Sequence, residues 1–254
     1  MKVITPFMAA MDFLTRLAPA RIHDEKTIAA SVKYFPLVGL VLGGLLTLPF
    51  ALGLLSGYAW IQAWLLTGAS LWATRGLHWD GWADLFDAWG SGASGDRFWE
   101  IIKDSHIGAF GVMGLIMGMG GQVLLLHEAL AAKAFGTIAF SFVLGRGLCV
   151  GLAYCSKGLS RSAGLGKLTL QGATLPSLIF ALALTIFVGL GLRPLHALAP
   201  ALMISLLGMV ELHTLARKSG GLNGDFLGAA IIWGELSALV GWLLAVRADL
   251  LPLF

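Results

Sequence analysis

Seven apolar segments, separated by polar connections, follow one another along this chain and leave few ways for it to fold. They cover approximately residues 36–56, 58–74, 107–126, 134–155, 174–192, 197–216 and 226–246. An α-helix needs about 20 apolar residues to cross a bilayer, and a backbone inside lipid must satisfy its own hydrogen bonds. The segments therefore predict an all-α, polytopic membrane helix bundle with about seven transmembrane helices.

The composition agrees with one integral membrane domain over residues 1–254. The chain is 57% hydrophobic and only 12% charged, values that are not those of a soluble globular domain. Its net charge of +3 is small and no basic run is present, so a nucleic-acid partner is not expected. Residues 1–35 hold mixed polar and apolar side chains, and we interpret them as a cytoplasmic or interfacial lead-in to the first apolar segment.

The positive charges predict an orientation for the bundle. With the N-terminus in the cytoplasm, all but four of the 17 Lys and Arg residues fall on the cytoplasmic side of the predicted spans. This bias is typical of the positive-inside rule. It places the polar loops 75–106, 156–172 and 217–225 on one cytoplasmic face of a multi-pass protein of the cell (inner) membrane.

An unusually acidic stretch, residues 78–108, holds six of the 14 acidic side chains. Asp80, Asp84 and Asp87 are spaced i, i+4, i+7 and would share one face of a helix. Carboxylates roughly 6 Å apart repel each other by roughly 3 kcal/mol per pair at a dielectric of about 20. Three oxygen ligands suit a hard cation, Mg²⁺ or Mn²⁺, and Gly81 would leave room for a bulky ligand beside Asp80. A solvated acidic face is the alternative.

The rest of the acidic stretch supplies further candidates. Asp104 would complete a metal site, and Lys103 and Arg97 would hold phosphate oxygens. For Arg97, an ion pair with Glu100 along the same helix is an equally good interpretation. His78 is a candidate base or ligand, although a hydrated surface histidine would give the same sequence.

Three polar positions outside the acidic stretch are also candidates. Arg146 lies in mid-segment, where a cation costs roughly 2.5–3.5 kcal/mol on insertion scales, so it should face a cavity or an acid. Its candidate partners are Glu211, Glu235 and Asp225. Lys167, in the glycine-rich loop 158–169, would meet an anion or simply belong to a cytoplasmic connection.

Asn223 and Asp225 stand among glycines at a predicted helix start. The first turn of a helix has free backbone amides that suit an anion, and Asp225 would also serve as a carboxylate linked to a metal. Asn223 is therefore a candidate substrate-binding residue and Asp225 a candidate metal ligand.

These residues resemble a known family, the cobalamin-5′-phosphate synthases, also called adenosylcobinamide-GDP ribazoletransferases. The resemblance covers nearly the whole chain and is carried by GLHWDGWADLFDAWG (76–90), EIIKDSHIGAFG (100–111), FPLVG (35–39), Arg146, GLG (164–166) and GDFLGA (224–229). The chain departs from the family pattern at Asn223, where the family usually has Thr, and at His106, where it commonly has Arg.

The resemblance implies the last assembly step of the cobamide lower loop. A hydroxyl of α-ribazole, or of its 5′-phosphate, would attack the cobinamide-linked phosphate of adenosylcobinamide-GDP and release GMP. The product would be adenosylcobalamin or its 5′-phosphate, and Mg²⁺ would be required. A homo-oligomer, or association with other enzymes of nucleotide-loop assembly, is compatible with this interpretation.

The resemblance also suggests roles for individual residues. Asp80, Asp84 and Asp87 would bind Mg²⁺, with Asp104 or Asp225 as a further ligand. His78 or one of these carboxylates would accept the hydroxyl proton. The pyrophosphate charge would be stabilised by cationic side chains, namely Lys103, Arg97 and Arg146.

Two other functions remain open from the sequence. A membrane phosphotransferase of the CDP-alcohol type also uses spaced aspartates beside an Asp-Gly pair, but its motif has Arg where Asp84 stands here. An ion-coupled transporter would use Arg146, Glu211 and Glu235 as a relay inside the membrane. It would distribute its acidic groups through the spans, whereas this chain concentrates them in one polar stretch.

Overall fold

The computed structural model describes residues 4–19, 21–161, 165–192 and 195–247, and over these residues the fold is all α, with no strand. Two short 3₁₀ turns accompany the helices, at Val32–Tyr34 and Lys157–Leu159. The twelve described helices are α1 (Ile4–Leu14), α2 (Glu25–Ser31), α3 (Phe35–Ala51), α4 (Ala59–Ala73), α5 (Leu77–Gly90), α6 (Gly95–Lys103), α7 (Ala109–Ala131), α8 (Phe135–Cys155), α9 (Leu165–Gly172), α10 (Leu175–Leu192), α11 (Leu195–Lys218) and α12 (Gly224–Arg247).

Each of the seven apolar segments contains a helix, which confirms the all-α membrane fold, but not every helix is long enough to span a bilayer. Five described helices qualify by length and composition, and a bent pair makes a sixth if it counts as one span. They are Glu25–Ala51, Ala109–Ala131, Phe135–Cys155, Ala197–Lys218 and Gly224–Arg247, with Leu165–Gly172 and Leu175–Gly191 forming the pair.

The predicted number of about seven spans is therefore not confirmed. The segment predicted at 58–74 forms α4, whose 15 residues measure only about 22 Å at 1.5 Å per residue. The hydrocarbon core of a bilayer is about 30 Å thick.

The lead-in, residues 1–35, is part of the bundle over its described residues. Ala10 and Leu14 of α1 are buried, and α1 packs against α2 and α3. The run that is long and apolar enough to cross a membrane begins earlier than the predicted segment, because α2, the 3₁₀ turn and α3 join into one run from Glu25 to Ala51. Pro36 stands at the first turn of α3, where no backbone hydrogen bond is lost, and Pro49 lies near the end of the same helix.

Helix α8 lies at the centre of the bundle, between α3 and α12. Its residues from Phe140 to Ala153 are all buried. Close approach depends on glycine, because a Cβ atom on Gly234 of α12 would lie only 2.6 Å from the Gly145 Cα atom of α8. Small residues at helix crossings let backbones pack tightly in lipid, where there is little hydrophobic drive between helices.

The polar connections meet at one end of the bundle. The backbone of Arg161, after α8, donates to the Leu222 carbonyl over 3.0 Å, and the Leu222 N–H donates to Leu159 over 2.6 Å. The indole N–H of Trp99, on α6, donates to the Ser219 carbonyl over 2.7 Å. The loops predicted to share a face are thus joined by hydrogen bonds, and the acidic stretch lies beside them.

Candidate functional site

The site is built where the first turns of α5 and α12 cross. A Cβ atom on Gly81 would lie 2.7 Å from the Asp225 Cα atom, and one on Gly228 would lie 3.2 Å from the His78 Cα atom. A glycine on each helix therefore lets the two backbones touch. Gly81 does not make room for a ligand, as the sequence suggested, but for the backbone of α12, which brings Asp225 beside the aspartates of α5.

Three carboxylates, Asp80, Asp84 and Asp225, form what we call the carboxylate cluster. Asp80 is exposed, and Asp84 and Asp225 are half-buried. Partial burial, followed by the charges of Asp225, Asp80 and Asp87, raises the pKa of Asp84 to about 7. Burial disfavours the ionised form and neighbouring anions add to the effect, so a cation at this position would relieve a real electrostatic cost.

Asn223 holds Asp225 in place. Its amide nitrogen donates to an Asp225 carboxylate oxygen over 2.5 Å, and its side-chain oxygen accepts from the Asp225 backbone N–H over 3.2 Å. Asn223 thus acts as a cap at the start of α12. Asn223 therefore positions Asp225, and since its amide has a second N–H donor, the substrate contact suggested by the sequence stays a prediction.

Asp87 shares the sequence pattern of the cluster but has a different environment. It is buried, and its two oxygens accept hydrogen bonds from the backbone N–H groups of Gly108 and Gly111, each over 2.7 Å. These amides belong to the first turn of α7, whose N–H groups have no partner within the helix. The structure therefore gives Asp87 the role of a helix cap rather than that of the metal ligand suggested by the sequence.

We expect Asp87→Asn to lower the free energy of unfolding by about 1–3 kcal/mol, because an amide can accept at only one of its two ends and leaves a backbone donor unpaired. The unfolding of purified protein in detergent, followed by circular dichroism, measures this. Asp84→Asn is the matched comparison and should not destabilise, since it removes repulsion. A stable Asp87→Asn protein that has lost its activity would contradict the capping role and favour metal binding.

Asp104 lies apart from the cluster. It is exposed, and its carboxylate accepts from the His106 backbone N–H over 3.0 Å and contacts the His106 ring nitrogen at 2.8 Å. The backbone hydrogen bond from His106 lowers the pKa of Asp104. Since the charges acting on Asp84 do not include that of Asp104, the described geometry offers no support for Asp104 as a further metal ligand.

The cationic candidates are dispersed. Arg97 pairs with Glu100 over 2.9 Å, and both side chains are exposed, as the alternative interpretation proposed. Lys103, at the end of α6, is exposed. Lys167, on α9, is also exposed and follows Gly166, which lines a cavity together with Asp225. These side chains are free to reach a bound phosphate, but the structure does not gather them at one point.

Arg146 is fully buried in α8 and forms an ion pair with Glu235 of α12. Gln122 of α7 donates to the same carboxylate over 3.2 Å, and the Arg146 guanidinium also donates to the Phe142 carbonyl. The prediction that Arg146 faces an acid is confirmed, with Glu235 as the partner. Its burial keeps it from a phosphate at the polar end, so the structure assigns it to the bundle core.

His78, the last residue of the predicted set, is only 3% exposed. Burial, and then the charge of Arg146, lowers the pKa of His78 well below its usual range. Within the described part of the chain, its Nε2 atom has no hydrogen-bond partner. It lines a cavity of about 130 Å³ that also borders Asp225. Sequence reasoning did not indicate this cavity, because six helices far apart in the chain form its walls.

Comparison with known proteins identifies the family of the chain. A family model described as cobalamin-5-phosphate synthase matches residues 6–243. The chain belongs to the cobalamin-5-phosphate synthase family. The resemblance found in the sequence motifs is thereby confirmed.

Relatives in this family are similar over nearly their full length. An adenosylcobinamide-GDP ribazoletransferase of Nitratidesulfovibrio vulgaris (strain DSM 19637 / Miyazaki F) is 53% identical over 233 residues, which cover 92% of each chain. A protein of the same name from Chlorobaculum tepidum is 34% identical, over 96% of this chain and 95% of its own. Another, from Klebsiella pneumoniae (strain 342), is 34% identical, over 95% of this chain and 100% of its own. No solved structure matches the chain.

The donor set of this family member suits Mg²⁺ in its chemistry. Among the described residues, no three His, Cys, Asp or Glu side chains converge closely enough to hold a metal ion by themselves. Mg²⁺ does not need such a cage, since it usually keeps several waters and binds one or two carboxylates together with substrate phosphates. The exposed Asp80 and the half-buried Asp84, whose pKa is raised, meet that requirement, and Asp225 adds a third oxygen donor beside them.

Proposed function

We propose that the chain joins adenosylcobinamide-GDP to α-ribazole, or to α-ribazole 5′-phosphate. A ribazole hydroxyl oxygen forms a bond to the cobinamide-linked phosphorus, the bond from that phosphorus to the GMP oxygen breaks, and the hydroxyl proton leaves. The products are adenosylcobalamin, or its 5′-phosphate, and GMP. The carboxylate cluster at the α5–α12 crossing is the observation that carries this proposal, in a chain 53% identical to a relative named for the reaction.

We further propose that Asp80, Asp84 and Asp225 hold Mg²⁺. When bound, the ion would supply charge stabilisation to the pyrophosphate being cleaved, as divalent ions do in phosphoryl transfer. The support is electrostatic, since burial, and then the charges of Asp225, Asp80 and Asp87, raise the pKa of Asp84 to about 7. The side chains that remain for the outer phosphate oxygens are exposed cations, namely Lys103, Arg97 and Lys167.

A carboxylate of the cluster is the better proton acceptor for the attacking hydroxyl. His78 was the other candidate, but its imidazole is buried. A general base must come within hydrogen-bond reach of the proton that it takes, and Asp80 is exposed at the polar end, where the substrates arrive.

The cytoplasm is the side from which we propose that the substrates enter. The polar stretches 75–106, 156–172 and 217–225 together carry eight of the 17 Lys and Arg residues, and they meet at the end where the carboxylate cluster lies. Short loops rich in Lys and Arg stay on the cytoplasmic side of a membrane. The large corrinoid and the nucleotide would thus reach the cluster from the cytoplasm.

The two rival functions have less support. Family membership counts against a CDP-alcohol phosphotransferase, as does Asp84 at the position of that enzyme's arginine. For a transporter relay, Arg146 and Glu235 are paired in the core, whereas Glu211 is exposed on α11 and lines a separate cavity. The three residues do not form a continuous polar path through the described residues.

Release of GMP from adenosylcobinamide-GDP and α-ribazole by the purified full chain, in detergent with Mg²⁺, tests the proposal. We expect GMP and the cobamide in equal amounts, loss of at least 90% of the rate with EDTA, and recovery when Mg²⁺ is added in excess. The same chain after boiling, assayed under the same conditions, provides the background. Absence of GMP release with Mg²⁺ would overturn the proposed reaction, and undiminished release in EDTA would overturn the metal assignment alone.

A further inference from the structure

A small, partly open cavity adjoins the carboxylate cluster and has no role in the proposed transfer step. It lies among α1, α3, α5, α8, α9 and α12, and most of its wall is apolar, with Phe13, Phe35, Leu165 and Ile231 among the lining residues. Its volume is about 130 Å³. An apolar protein cavity of about 150 Å³ holds one benzene ring, so this space takes about one ring of a planar aromatic group, and the rest of a larger group would extend through its open side.

One polar atom in the wall points to a ligand. His78 lines the cavity, is 97% buried, and its Nε2 atom is without a hydrogen-bond partner in the described chain. Leaving a buried polar group unpaired costs about 1–3 kcal/mol, and the great majority of such groups are paired in folded proteins. An apolar slot with a single unpaired imidazole nitrogen suits an aromatic heterocycle that offers one ring nitrogen.

The cavity also has the correct position. Asp225 and Gly224, at the start of α12, lie in its wall, and Asp225 is a member of the carboxylate cluster. In a ribazole the base and the reacting hydroxyl are attached to the same ribose, so the base must bind within one sugar of the reacting phosphate. Asp225 is the residue shared by the cavity and the cluster.

We propose that this cavity binds the planar benzimidazole base of the ribazole acceptor. The ring nitrogen that is not attached to ribose accepts a hydrogen bond from the Nε2–H of His78. The apolar wall packs against the ring that enters, and the rest of the bicyclic base extends through the open side of the cavity. This inference rests on the proposed function, and it makes His78 a substrate-binding residue that selects for the base rather than one that takes the proton.

A second cavity is larger but less suitable. It has a volume of about 280 Å³ and lies between α5, α11 and α12, lined by Trp82, Trp89, Trp233 and Glu211 among others. Among the described residues that line it, none belongs to the carboxylate cluster, whereas Asp225 lies in the wall of the smaller cavity. The smaller cavity is therefore the better site.

Two kinds of variant test the proposal in the full chain. Leu165→Trp places an indole at the mouth of the cavity, and the parent side chain is 47% exposed, so folding should tolerate it. Leu175→Trp is the matched control, because Leu175 is 53% exposed and does not line the cavity. His78→Leu removes the donor at similar size, and His78→Gln keeps an amide N–H.

The measurements are the KM values for α-ribazole and for adenosylcobinamide-GDP, and the Kd of α-ribazole alone by calorimetry in detergent. We expect His78→Leu to raise the α-ribazole KM and Kd about tenfold, the loss expected for one hydrogen bond left unmade. Leu165→Trp should raise both by about tenfold or more, because the indole occupies space that the base needs. The KM for adenosylcobinamide-GDP should change less than twofold. His78→Gln should recover most of the α-ribazole affinity, and Leu175→Trp should behave as the parent.

The outcomes separate this proposal from the proposed function. If the parent chain releases GMP and both the Leu165→Trp and His78→Leu variants keep the parental Kd for α-ribazole, the base site is wrong and the reaction stands. A loss of kcat with unchanged α-ribazole Kd would likewise overturn it and return His78 to a role in proton transfer. If the parent chain releases no GMP and binds no α-ribazole, the proposed function itself fails.

Discussion

Asp84→Asn should abolish GMP release, lowering kcat/KM about a thousandfold, while the protein still inserts and folds. Asp84 is half-buried at the centre of the carboxylate cluster, and the pKa of its carboxyl is raised to about 7 by burial and by three neighbouring aspartates. An amide of the same shape removes one anionic oxygen donor from the proposed Mg²⁺ site. A metal clamp is worth several kcal/mol of charge stabilisation, and each 1.36 kcal/mol is a factor of ten in rate.

The matched control is Asp96→Asn, the same substitution in the same acidic stretch. Asp96 is exposed on α6 and pairs with Arg161 over 2.7 Å, and an exposed ion pair of this kind contributes about 0–1 kcal/mol. Its activity should stay within twofold of the parent. Near-normal transfer by folded Asp84→Asn protein with Mg²⁺ would refute the assignment of Asp84, and a thermal unfolding scan in detergent establishes that the variant is folded.

Glu235→Leu should have the largest effect on stability, lowering the free energy of unfolding by about 3–5 kcal/mol. The substitution leaves the Arg146 guanidinium fully buried in α8 without its counter-ion. It also removes the acceptor of the Gln122 amide. Unfolding of the purified protein by titration with SDS in mixed micelles, followed by tryptophan fluorescence, measures the change.

The double variant Arg146→Met, Glu235→Leu separates the ion pair from simple packing. Replacing both members of a buried pair with apolar side chains of similar volume is often neutral or stabilising, so the double variant should regain most of the loss. It should also keep its rate of GMP release, because neither residue touches the carboxylate cluster. A double variant as unstable as Glu235→Leu would show that the pair is not the source of the effect.

The acidic stretch shows which features of the site could be predicted from the sequence. The i, i+4, i+7 spacing correctly placed Asp80, Asp84 and Asp87 on one helix, now α5, and the local charge pattern correctly indicated an electrostatic cost. The spacing could not distinguish Asp87 from the other two. That depended on the first turn of α7, whose unpaired amides, at Gly108 and Gly111, lie where Asp87 points.

Arg146 illustrates the same division. Its position within an apolar segment was sufficient to predict a buried acidic partner, because an unpaired cation is too costly in a membrane. Three acids were equally good by sequence, and the resemblance offered a phosphate instead. The choice of Glu235 followed from the contact of α8 with α12 at Gly145 and Gly234, which no periodicity reveals.

The sequence alone determined the all-α membrane fold, the family and the helix that carries the aspartates, because these depend on composition, local spacing and motifs along one segment. The tertiary structure decided which carboxylates form the cluster, which aspartate caps a helix, and which cavity His78 lines. These contacts join residues far apart in the chain. They exist because particular glycines let α5, α8 and α12 approach within backbone contact. The free energy of that packing arises only when the helices are assembled, so no single segment of the sequence reveals it.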